Sequence, residues 1–456
     1  MPQKPGRGLW SVTPNGDPMS QTLYQQRLMS AAEAVALIPS SARVAMGLGF
    51  SQPPAILAAL ADRAHAGQVT DVGLYYLLST GIAGQTVLKD ELMGRIRPMS
   101  LFHSAIERGL EARAREAAQP NPVTFIPTGF QQVPRLLREA GVDTLICTVS
   151  PMDEDGCFSF GINTDYNRPV SEHAGRIILE VNPAMPRVFG DCTIHVSRVT
   201  AVVENHTPLL ELPVTEPAPN DLAIGGLIAD MIEDGSTLQM GIGALPNAVC
   251  AALHDRRDLG LHTEMLTPGL VELMQVGVIT NARKTLHPGK GVFSFCMGTR
   301  ATYDFLDGNR DMEAYPVDYV NDPAVIARND RMISVNATLQ VDLTGACCSE
   351  HLNGRQFTAS GGQLDFVRGA YASAGGRSII ACHSTAAKGT VSRIVARLDG
   401  PVTVPRNDVH IVVTEHGRAE LKGKSNAERA RALIAIADPR FREELERGAR
   451  EAGLLG

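Results

Sequence analysis

The sequence lacks the features of a membrane-spanning, secreted or metal-binding protein. No apolar run approaches the roughly 20 residues needed to cross a bilayer, and the N-terminus has no charged segment followed by an apolar one. The eight cysteines include no C-x-x-C pair, so neither a zinc site nor a disulfide framework is indicated. We therefore expect a cytoplasmic protein without a bound metal.

An excess of positive charge is also missing. The formal net charge is −7, which gives no general attraction to nucleic acid or to an anionic membrane surface. We expect neither as a partner, and any basic binding site must be local. Apolar residues make up 44% and charged residues 20% of the chain, as in an ordinary soluble enzyme.

The length of 456 residues favours two domains, or one domain built from two halves. Residues 1–20 are rich in Pro and Gly and predict a flexible tail. The segment Leu212–Asn220 contains three prolines and reads as a linker. We therefore divide the chain into a tail, a half at 21–215 and a half at 216–456.

Short apolar runs alternate with Ala-, Leu-, Glu- and Arg-rich stretches of helical period after the tail. This alternation predicts an α/β fold with mainly parallel, open sheets. The runs that we assign to strands are Val123–Ile126, Thr144–Val149, Ile177–Val181, Ile379–Cys382 and Val409–Thr414.

The two halves resemble each other. The stretch M-G-L-G-F-S-Q-P-P-A-I-L-A-A-L-A-D-R from Met46 matches M-G-I-G-A-L-P-N-A-V-C-A-A-L-H-D-R from Met240, with one residue inserted before the proline. D-Y-N-R from Asp165 recurs as D-F-V-R from Asp365, and a Gly-Arg pair precedes an Ile-rich run in each half. Since these matches keep their order and nearly their spacing, we infer a tandem duplication of one α/β unit.

One position differs informatively between the repeats. V-G-L-Y-Y-L-L from Val72 aligns with L-G-L-H-T-E-M from Leu259, so Glu264 stands where the first half has Leu77. The scaffold accepts an apolar residue at this position, and an ionised Glu is rarely left buried without a partner. Glu264 is therefore either paired with a nearby Arg or Lys, or it has a function.

A glycine-containing turn precedes Glu264 by about twenty residues. Gln239, Met240, Gly241, Ile242 and Gly243 follow an apolar run and lead into an Ala/Leu-rich helix. Glycines let the backbone approach a ligand, and N–H groups at a helix start can hold an oxyanion. The turn does not complete G-x-G-x-x-G, so it indicates no dinucleotide site, and it can also be a simple strand-to-helix connection.

A carboxylate beside backbone donors at the carboxyl edge of a parallel sheet suits acyl transfer. The carboxylate can attack an activated carbonyl while the N–H groups stabilise the oxyanion that develops. The other nucleophile candidate, Cys382, lies at a strand end without a placed base and is interpreted as a packing residue.

The sequence resembles the acetyl-CoA hydrolase/CoA-transferase family, in particular its 4-hydroxybutyrate CoA-transferase-like branch. The resemblance covers nearly the whole chain after the tail. It rests on M-G-I-G-A-L-P-N-A-V, L-G-L-H-T-E-M, V-G-V-I-T-N-A-R-K from Val276, S-G-G-Q-L-D-F-V-R-G-A from Ser360, G-G-R-S-I-I-A from Gly375, V-V-T-E-H-G from Val412 and L-K-G-K-S from Leu421.

The resemblance implies an enzyme of two tandem α/β halves that works by a ping-pong mechanism. Glu264 would attack an acyl-CoA thioester and carry coenzyme A as a glutamyl-CoA thioester, and a short-chain acid would then take up the coenzyme. Coenzyme A would be the substrate and covalent intermediate, with no permanently bound cofactor. The acid would be acetate, butyrate, 4-hydroxybutyrate, succinate or itaconate, and the enzyme a homodimer or higher homo-oligomer.

The same resemblance implies the binding residues. The turn at Gln239–Gly243 would supply oxyanion or CoA contacts, the loop of Gly361, Gly362 and Gln363 further CoA contacts, and Lys388 a contact to the CoA phosphates or pantetheine. Two other functions stay open on the same scaffold: an acyl-CoA hydrolase, in which water intercepts the intermediate, and a non-catalytic acyl-CoA-binding protein.

Overall fold

The computed structural model describes residues 17–213 and 215–456. Its α-helices are α1 (Pro18–Arg27), α2 (Ala31–Ala36), α3 (Pro54–His65), α4 (Gly81–Gln85), α5 (Ala105–Glu116), α6 (Val133–Glu139), α7 (Asn167–His173), α8 (Pro219–Ala229), α9 (Ala244–Ala251), α10 (Pro268–Gln275), α11 (Arg300–Leu306), α12 (Val317–Val320), α13 (Pro323–Ile326), α14 (Gln363–Ala372), α15 (Asn426–Ala435) and α16 (Arg442–Glu451).

The strands are β1 (Arg43–Met46), β2 (Val72–Leu77), β3 (Ile96–Phe102), β4 (Thr124–Phe125), β5 (Thr144–Val149), β6 (Cys157–Ser159), β7 (Arg176–Val181), β8 (Phe189–Gly190), β9 (Thr193–His195), β10 (Ala201–Glu204), β11 (Thr237–Met240), β12 (Gly260–Leu266), β13 (Gly291–Cys296), β14 (Met312–Ala314), β15 (Met332–Ala337), β16 (Gln340–Asp342), β17 (Cys347–Cys348), β18 (His351–Leu352), β19 (Arg355–Gln356), β20 (Arg377–Ala381), β21 (Thr385–Ala386), β22 (Val391–Ser392), β23 (Ile394–Val395), β24 (Ile411–Thr414) and β25 (Gly417–Glu420).

Two large sheets organise the described part of the chain. The first has the strand order β10-β7-β5-β1-β2-β3-β4, and all its strands are parallel. The second has the order β25-β24-β20-β15-β11-β12-β13-β14-β8, and only β25 runs antiparallel to its neighbour. The prediction of an α/β fold with mainly parallel sheets is confirmed. The apolar runs become buried strands because helices cover both faces of such sheets.

The sheets also support the duplication. Strands β10, β7, β5, β1, β2, β3 and β4 of the first sheet correspond in order to β24, β20, β15, β11, β12, β13 and β14 of the second. The register agrees as well, because Arg43 pairs with Gly73 in the first sheet and Thr237 with Gly260 in the second. Leu77 and Glu264 therefore occupy equivalent positions, as the sequence alignment predicts.

The two halves exchange structural elements. Strand β8 comes from the first half, but it pairs with β14 at the edge of the second sheet. Phe50 packs in the core of the second half, and Phe295 packs in the core of the first, where its ring meets the Phe130 ring edge-on with centroids 5.9 Å apart. These contacts pack the two halves against each other.

Two elements begin inside segments that the sequence predicts to be irregular. Helix α1 starts at Pro18, capped by the Asp17 carboxylate, so it enters the predicted tail, whose residues 1–16 lie outside the described residues. Helix α8 starts at Pro219, within the predicted linker, because the Asp221 side chain accepts the Ala218 N–H. Among the described residues, no helix combines the length and apolarity that a membrane span requires.

Candidate active site

Glu264 lies near the carboxyl end of strand β12, close to the meeting point of the two halves. Its side chain is only partly exposed, and strand β12 is otherwise buried except at the adjacent Met265. Strand β12 neighbours β11, which is central in the sheet and lies at the point where the strand order reverses. The carboxyl edge at such a point forms the crevice in which open α/β sheets bind ligands.

The Glu264 carboxylate has amide partners and not a cationic one. Asn321, which ends helix α12, donates its Nδ2 hydrogen to Glu264 Oε2 at 2.6 Å. The backbone of Gly362, at the start of helix α14, lies against this carboxylate, and its N–H lowers the Glu264 pKa. The alternative of a simple Glu–Arg or Glu–Lys pair therefore does not describe the environment of Glu264 within the described residues.

Position 362 requires glycine, because its backbone lies so close to Glu264 and Asn321 that a side chain does not fit. A Cβ atom at this position would lie 1.8 Å from Glu264 Oε2 and 2.1 Å from Asn321 Nδ2. Both distances are far below van der Waals contact, so any side chain here would displace the carboxylate or the amide. The absence of a side chain at Gly362 is what allows the Asn321 amide to reach Glu264.

Burial and neighbouring carboxylates make Glu264 a weak acid. Burial is the main cause that raises its pKa to about 7, and the charges of Asp365 and Asp165 raise the pKa further, against the hydrogen bonds from Asn321 and Gly362. Asp365 and Asp165 have pKa values of about 7 as well, again mainly because they are buried. Near neutral pH, each of these three carboxyls is therefore partly protonated.

The raised pKa predicts a pH-dependent stability. Because the native state binds the Glu264 proton more tightly than the unfolded state does, the free energy of unfolding falls as pH rises from about 4.5 to about 7. Glu264→Gln cannot ionise, so we expect it to be more stable than the wild type at pH 8, with the difference shrinking towards pH 4. Urea unfolding of both proteins at the two pH values measures this. Glu272→Gln, on the exposed face of helix α10, is the control. If the stability difference between Glu264→Gln and the wild type were the same at pH 8 and pH 4, the pKa assignment would be contradicted.

The predicted turn at Gln239–Gly243 lies at the same edge of the sheet as Glu264. Thr237 and Leu238 pair with Gly260 and Leu261, and three further residues of this register bring Gly241 level with Glu264. Gly241 and Gly243 have open space where a side chain would be, and Gly243 adopts φ +113°, which favours glycine. Ile242 between them is exposed.

The first two residues of this turn are buried and belong to strand β11. Gln239 accepts a hydrogen bond from Asn336 Nδ2 at 3.1 Å, which ties β11 to β15, and Met240 packs in the core. In the first half, a Cβ atom on Gly47, the counterpart of Gly241, would meet Ser51 Oγ at 2.5 Å. The second turn is therefore open where the first is filled.

The loop of Gly361, Gly362 and Gln363 lies beside Glu264. Gly361 adopts φ +55°, and its carbonyl accepts the Phe130 N–H at 3.0 Å, which connects the loop with the first half. Gln363 donates from Nε2 to the Ala337 carbonyl at 3.0 Å, so its amide supports the end of strand β15. Of the three residues, Gly362 contacts the carboxylate directly.

Lys388 occupies a different place. It is exposed, adopts φ 57° and lies in the turn that joins β21 to β22. The neighbouring Gly389 lies near the guanidinium of Arg440. Within the described residues, Lys388 is not among the groups that contact Glu264, so a role for it depends on how far a bound ligand extends from that carboxylate.

The structure also identifies residues that the sequence interpretation did not single out. Asn321 is fully buried and is the side-chain donor to Glu264. His262, two residues before Glu264 on the same face of β12, lies with Nε2 2.8 Å from the Val320 carbonyl. Burial lowers the pKa of His262 to about 3, so this neutral ring holds the peptide that precedes Asn321. The sequence signal that could have identified His262 is its i, i+2 spacing from Glu264, which places both side chains on one face of a strand.

Cys382 is a packing residue, as predicted. Its side chain is 4% exposed, and burial raises the pKa of the thiol to about 12. A thiol with this pKa is not ionised at neutral pH and is a poor nucleophile. Glu264 is therefore the stronger nucleophile candidate at this edge of the sheet.

Known protein families and individual proteins resemble this chain. The family description "Acetyl-CoA hydrolase/transferase N-terminal domain" matches residues 15–211, and "Acetyl-CoA hydrolase/transferase C-terminal domain" matches residues 298–449. The chain is 43% identical to the 4-hydroxybutyrate coenzyme A transferase of Clostridium kluyveri, over 93% of this chain and 97% of that protein. It is 41% identical to the succinyl-CoA:cyclohexane-1-carboxylate CoA transferase of Geobacter metallireducens, over 94% of this chain and 96% of that protein.

A solved structure is also similar. The crystal structure of RipA from Yersinia pestis superimposes with a TM-score of 0.93 at 53% identity, covering 96% of this chain and 100% of RipA. The fold, the two family matches and the full-length relatives agree, and the chain belongs to the acetyl-CoA hydrolase/transferase family.

Proposed function

We propose that this CoA-transferase moves coenzyme A from an acyl-CoA to a short-chain carboxylate through a covalent thioester on Glu264. The observation that carries the proposal is the hydrogen bond from Asn321 Nδ2, beside the Gly362 backbone, to a carboxylate that the duplicated half replaces by Leu77. A carboxylate held by a donor at a ligand crevice can act first as the nucleophile and then as the acyl group that carries coenzyme A.

In each step of the reaction, a new bond from oxygen or sulfur to a carbonyl carbon replaces an existing one. A Glu264 carboxylate oxygen attacks the acyl-CoA carbonyl, the C–S bond breaks, and a mixed anhydride and CoA thiolate form. The thiolate attacks the glutamyl carbonyl and releases the original acid as its carboxylate, which leaves a glutamyl-CoA thioester. The acceptor carboxylate then reverses these steps and departs as the new acyl-CoA.

The two donors have a specific part in this sequence. When the thiolate attacks the glutamyl carbonyl, negative charge develops on a Glu264 oxygen. The Asn321 amide already donates to this carboxylate, and the Gly362 N–H lies beside it. Donors fixed in advance stabilise such an oxyanion without reorganisation, and the loss of one typically costs about 10²- to 10³-fold in kcat.

The open turn suits the other oxyanion. During attack on the acyl-CoA, negative charge develops on the substrate carbonyl oxygen, and the turn with Gly241 and Gly243 leaves free space at the same edge of the sheet as Glu264. We assign the N–H groups of Gly241–Gly243 to this oxygen and to the thioester, with Gln239 and Met240 supporting the strand. We further assign Gly361 and Gln363 to the wall along the pantetheine, and Lys388 to the CoA phosphates.

The acid partner belongs to the class of short-chain carboxylates. Acetate, butyrate, 4-hydroxybutyrate, succinate and itaconate are the acids to be compared. The relatives named above act on 4-hydroxybutyrate and on succinyl and cyclohexanecarboxylate groups, which supports an acyl-CoA and a carboxylic acid as the two substrates. No permanently bound cofactor is needed, because the thioester itself is the activated group.

Hydrolysis is the alternative outcome of the same chemistry. If water reached the glutamyl thioester, the enzyme would release free CoA thiol without an acceptor acid. A non-catalytic acyl-CoA-binding protein would neither transfer nor release CoA. One acyl-CoA incubated with and without each acid, with transferred CoA and free thiol measured separately, distinguishes the three functions.

The intermediate provides the direct test. We expect incubation with acyl-CoA alone to leave CoA bound covalently to Glu264, because a ping-pong enzyme retains its covalent form when the second substrate is withheld. Borohydride should reduce this thioester and inactivate the enzyme, and mass spectrometry of peptides should place the change within L-G-L-H-T-E-M-L-T-P-G. An adduct on Cys382 or on another carboxylate would refute the mechanism.

We also propose a reducing, cytoplasmic location and a homo-oligomeric state. All eight cysteines are free thiols, which suits a reducing compartment. Fractionation of the native cells tests the location. Light scattering of the purified protein tests the oligomeric state, and a mass of one chain would exclude the homo-oligomer.

A further inference from the structure

Strand β12 carries two side chains on one face, His262 and Glu264, because residues two apart in a strand point the same way. Both meet the end of helix α12. Glu264 accepts the Asn321 Nδ2 hydrogen at 2.6 Å, and His262 Nε2 lies 2.8 Å from the Val320 carbonyl. The carboxylate and the ring of one strand therefore contact two successive residues where this short helix ends.

The direction of the Asn321 amide depends on its backbone. Asn321 is fully buried, and its Oδ1 has no hydrogen-bond partner within the described residues. Its Nδ2 donates to Glu264, but the acceptor side of the same amide is not held by a donor. Since the side-chain rotamer follows the backbone, the position of the donor is set by the peptide group from which Asn321 extends.

The peptide group between Val320 and Asn321 is held at both ends. Its N–H, on Asn321, donates to the Val317 carbonyl at 2.9 Å. Its carbonyl, on Val320, faces His262 Nε2. Helix α12 ends here, and the last carbonyls of a helix need a donor from outside the helix. His262 is that donor, so it keeps the plane of this peptide group from rotating.

The imidazole of His262 suits this contact. Its Nδ1 has no hydrogen-bond partner within the described residues, whereas Nε2 faces a carbonyl oxygen, which assigns the ring hydrogen to Nε2. Burial, together with the charge of Lys284, lowers the pKa of His262 to about 3, so the ring is neutral near pH 7. The ring also lies near Phe366 of helix α14, with centroids 6.3 Å apart.

We propose that His262 is a positioning residue that holds the Val320 carbonyl and thereby sets the Asn321 amide on the Glu264 carboxylate. The inference rests on the proposed function, because it concerns the donor to the glutamyl oxyanion. His262 touches no reacting atom and acts through the peptide group that carries Asn321. Since His262 and Glu264 extend from one strand, β12 fixes the nucleophile and its donor relative to each other.

Two substitutions of similar size separate the hydrogen bond from the packing. Glutamine can place its Nε2 near that of histidine and donate to the Val320 carbonyl, whereas methionine has a similar length and no donor. We expect His262→Met to lower kcat by about 10- to 100-fold with little change in KM for the acyl-CoA, because a small misplacement of a donor has effects of this order. His262→Gln should keep most of the wild-type kcat. Equal losses in the two variants, or wild-type kcat in folded His262→Met, would overturn the proposal.

A double-mutant cycle tests whether the effect passes through Asn321. We expect Asn321→Ala to lower kcat by about 10²- to 10³-fold, as for the loss of an oxyanion donor. Because His262 acts through Asn321, adding His262→Met should cause no further loss, and multiplied losses would contradict the proposal. His262→Asn, whose shorter amide does not reach the Val320 carbonyl, carries the same prediction and takes the place of His262→Met if that variant does not fold.

Adduct formation separates this inference from the proposed function. With acyl-CoA alone, His262→Met should form the CoA adduct on Glu264 more slowly than the wild type in single-turnover measurements. An adduct formed at the wild-type rate would refute the role of His262 alone, whereas the absence of any adduct in the wild type would refute the proposed function. His410→Met is the matched control, because this half-buried ring accepts the Ser378 N–H at 3.4 Å outside the group around Glu264. It should keep wild-type activity.

Discussion

Glu264→Ala should abolish CoA transfer while the protein still folds. Loss of the residue that forms the covalent intermediate commonly lowers kcat by roughly 10⁴-fold or more. The fold should survive, because Leu77 at the equivalent position of the first sheet shows that this site accepts a neutral side chain. Stopped assays of transferred CoA and a urea unfolding curve measure the two parts of the prediction.

Glu264→Asp should also be severely impaired. The shorter side chain retracts the carboxylate from the Asn321 amide, and catalysis by proximity depends on near-contact geometry. Glu272→Ala, which removes an exposed carboxylate from helix α10, should keep wild-type activity. If folded Glu264→Ala protein transferred CoA at the wild-type rate, another nucleophile would have to be sought.

Gly362→Ala should cause the second large loss. The added methyl group would stand 1.8 Å from Glu264 Oε2 and 2.1 Å from Asn321 Nδ2, so it must separate the carboxylate from the Asn321 amide. The backbone itself permits alanine, since Gly362 has φ −94° and ψ 12°. We therefore expect a folded protein whose kcat is lower by about 10²- to 10³-fold, as for the loss of an oxyanion donor.

A second glycine provides the control for this experiment. Gly226 lies within helix α8, and a Cβ atom there would meet nothing within 4 Å. Gly226→Ala should leave activity unchanged and should stabilise the helix slightly. Wild-type turnover in Gly362→Ala would mean that Glu264 works from another rotamer, without the contact to Asn321.

The location of the carboxylate was predictable because the two repeats can be compared with each other. The first half shows which positions the scaffold leaves apolar, and the strand register confirms that Leu77 and Glu264 correspond. The glycine-containing turns after β1 and β11 were likewise predictable from the sequence, because the residues that form a turn are neighbours in the chain. The sequence did not show that a side chain on Gly47 would collide with Ser51 while Gly241 faces open space.

The sequence by itself therefore determined the α/β architecture, the two repeats and the exceptional carboxylate, since each depends on local patterns and their repetition along the chain. The partners of Glu264 were decided by the tertiary structure alone. Asn321 is 57 residues away in sequence, and Gly362 and Asp365 are farther still. Their convergence, and the burial that raises the Glu264 pKa to about 7, depend on how the sheets and the two halves pack.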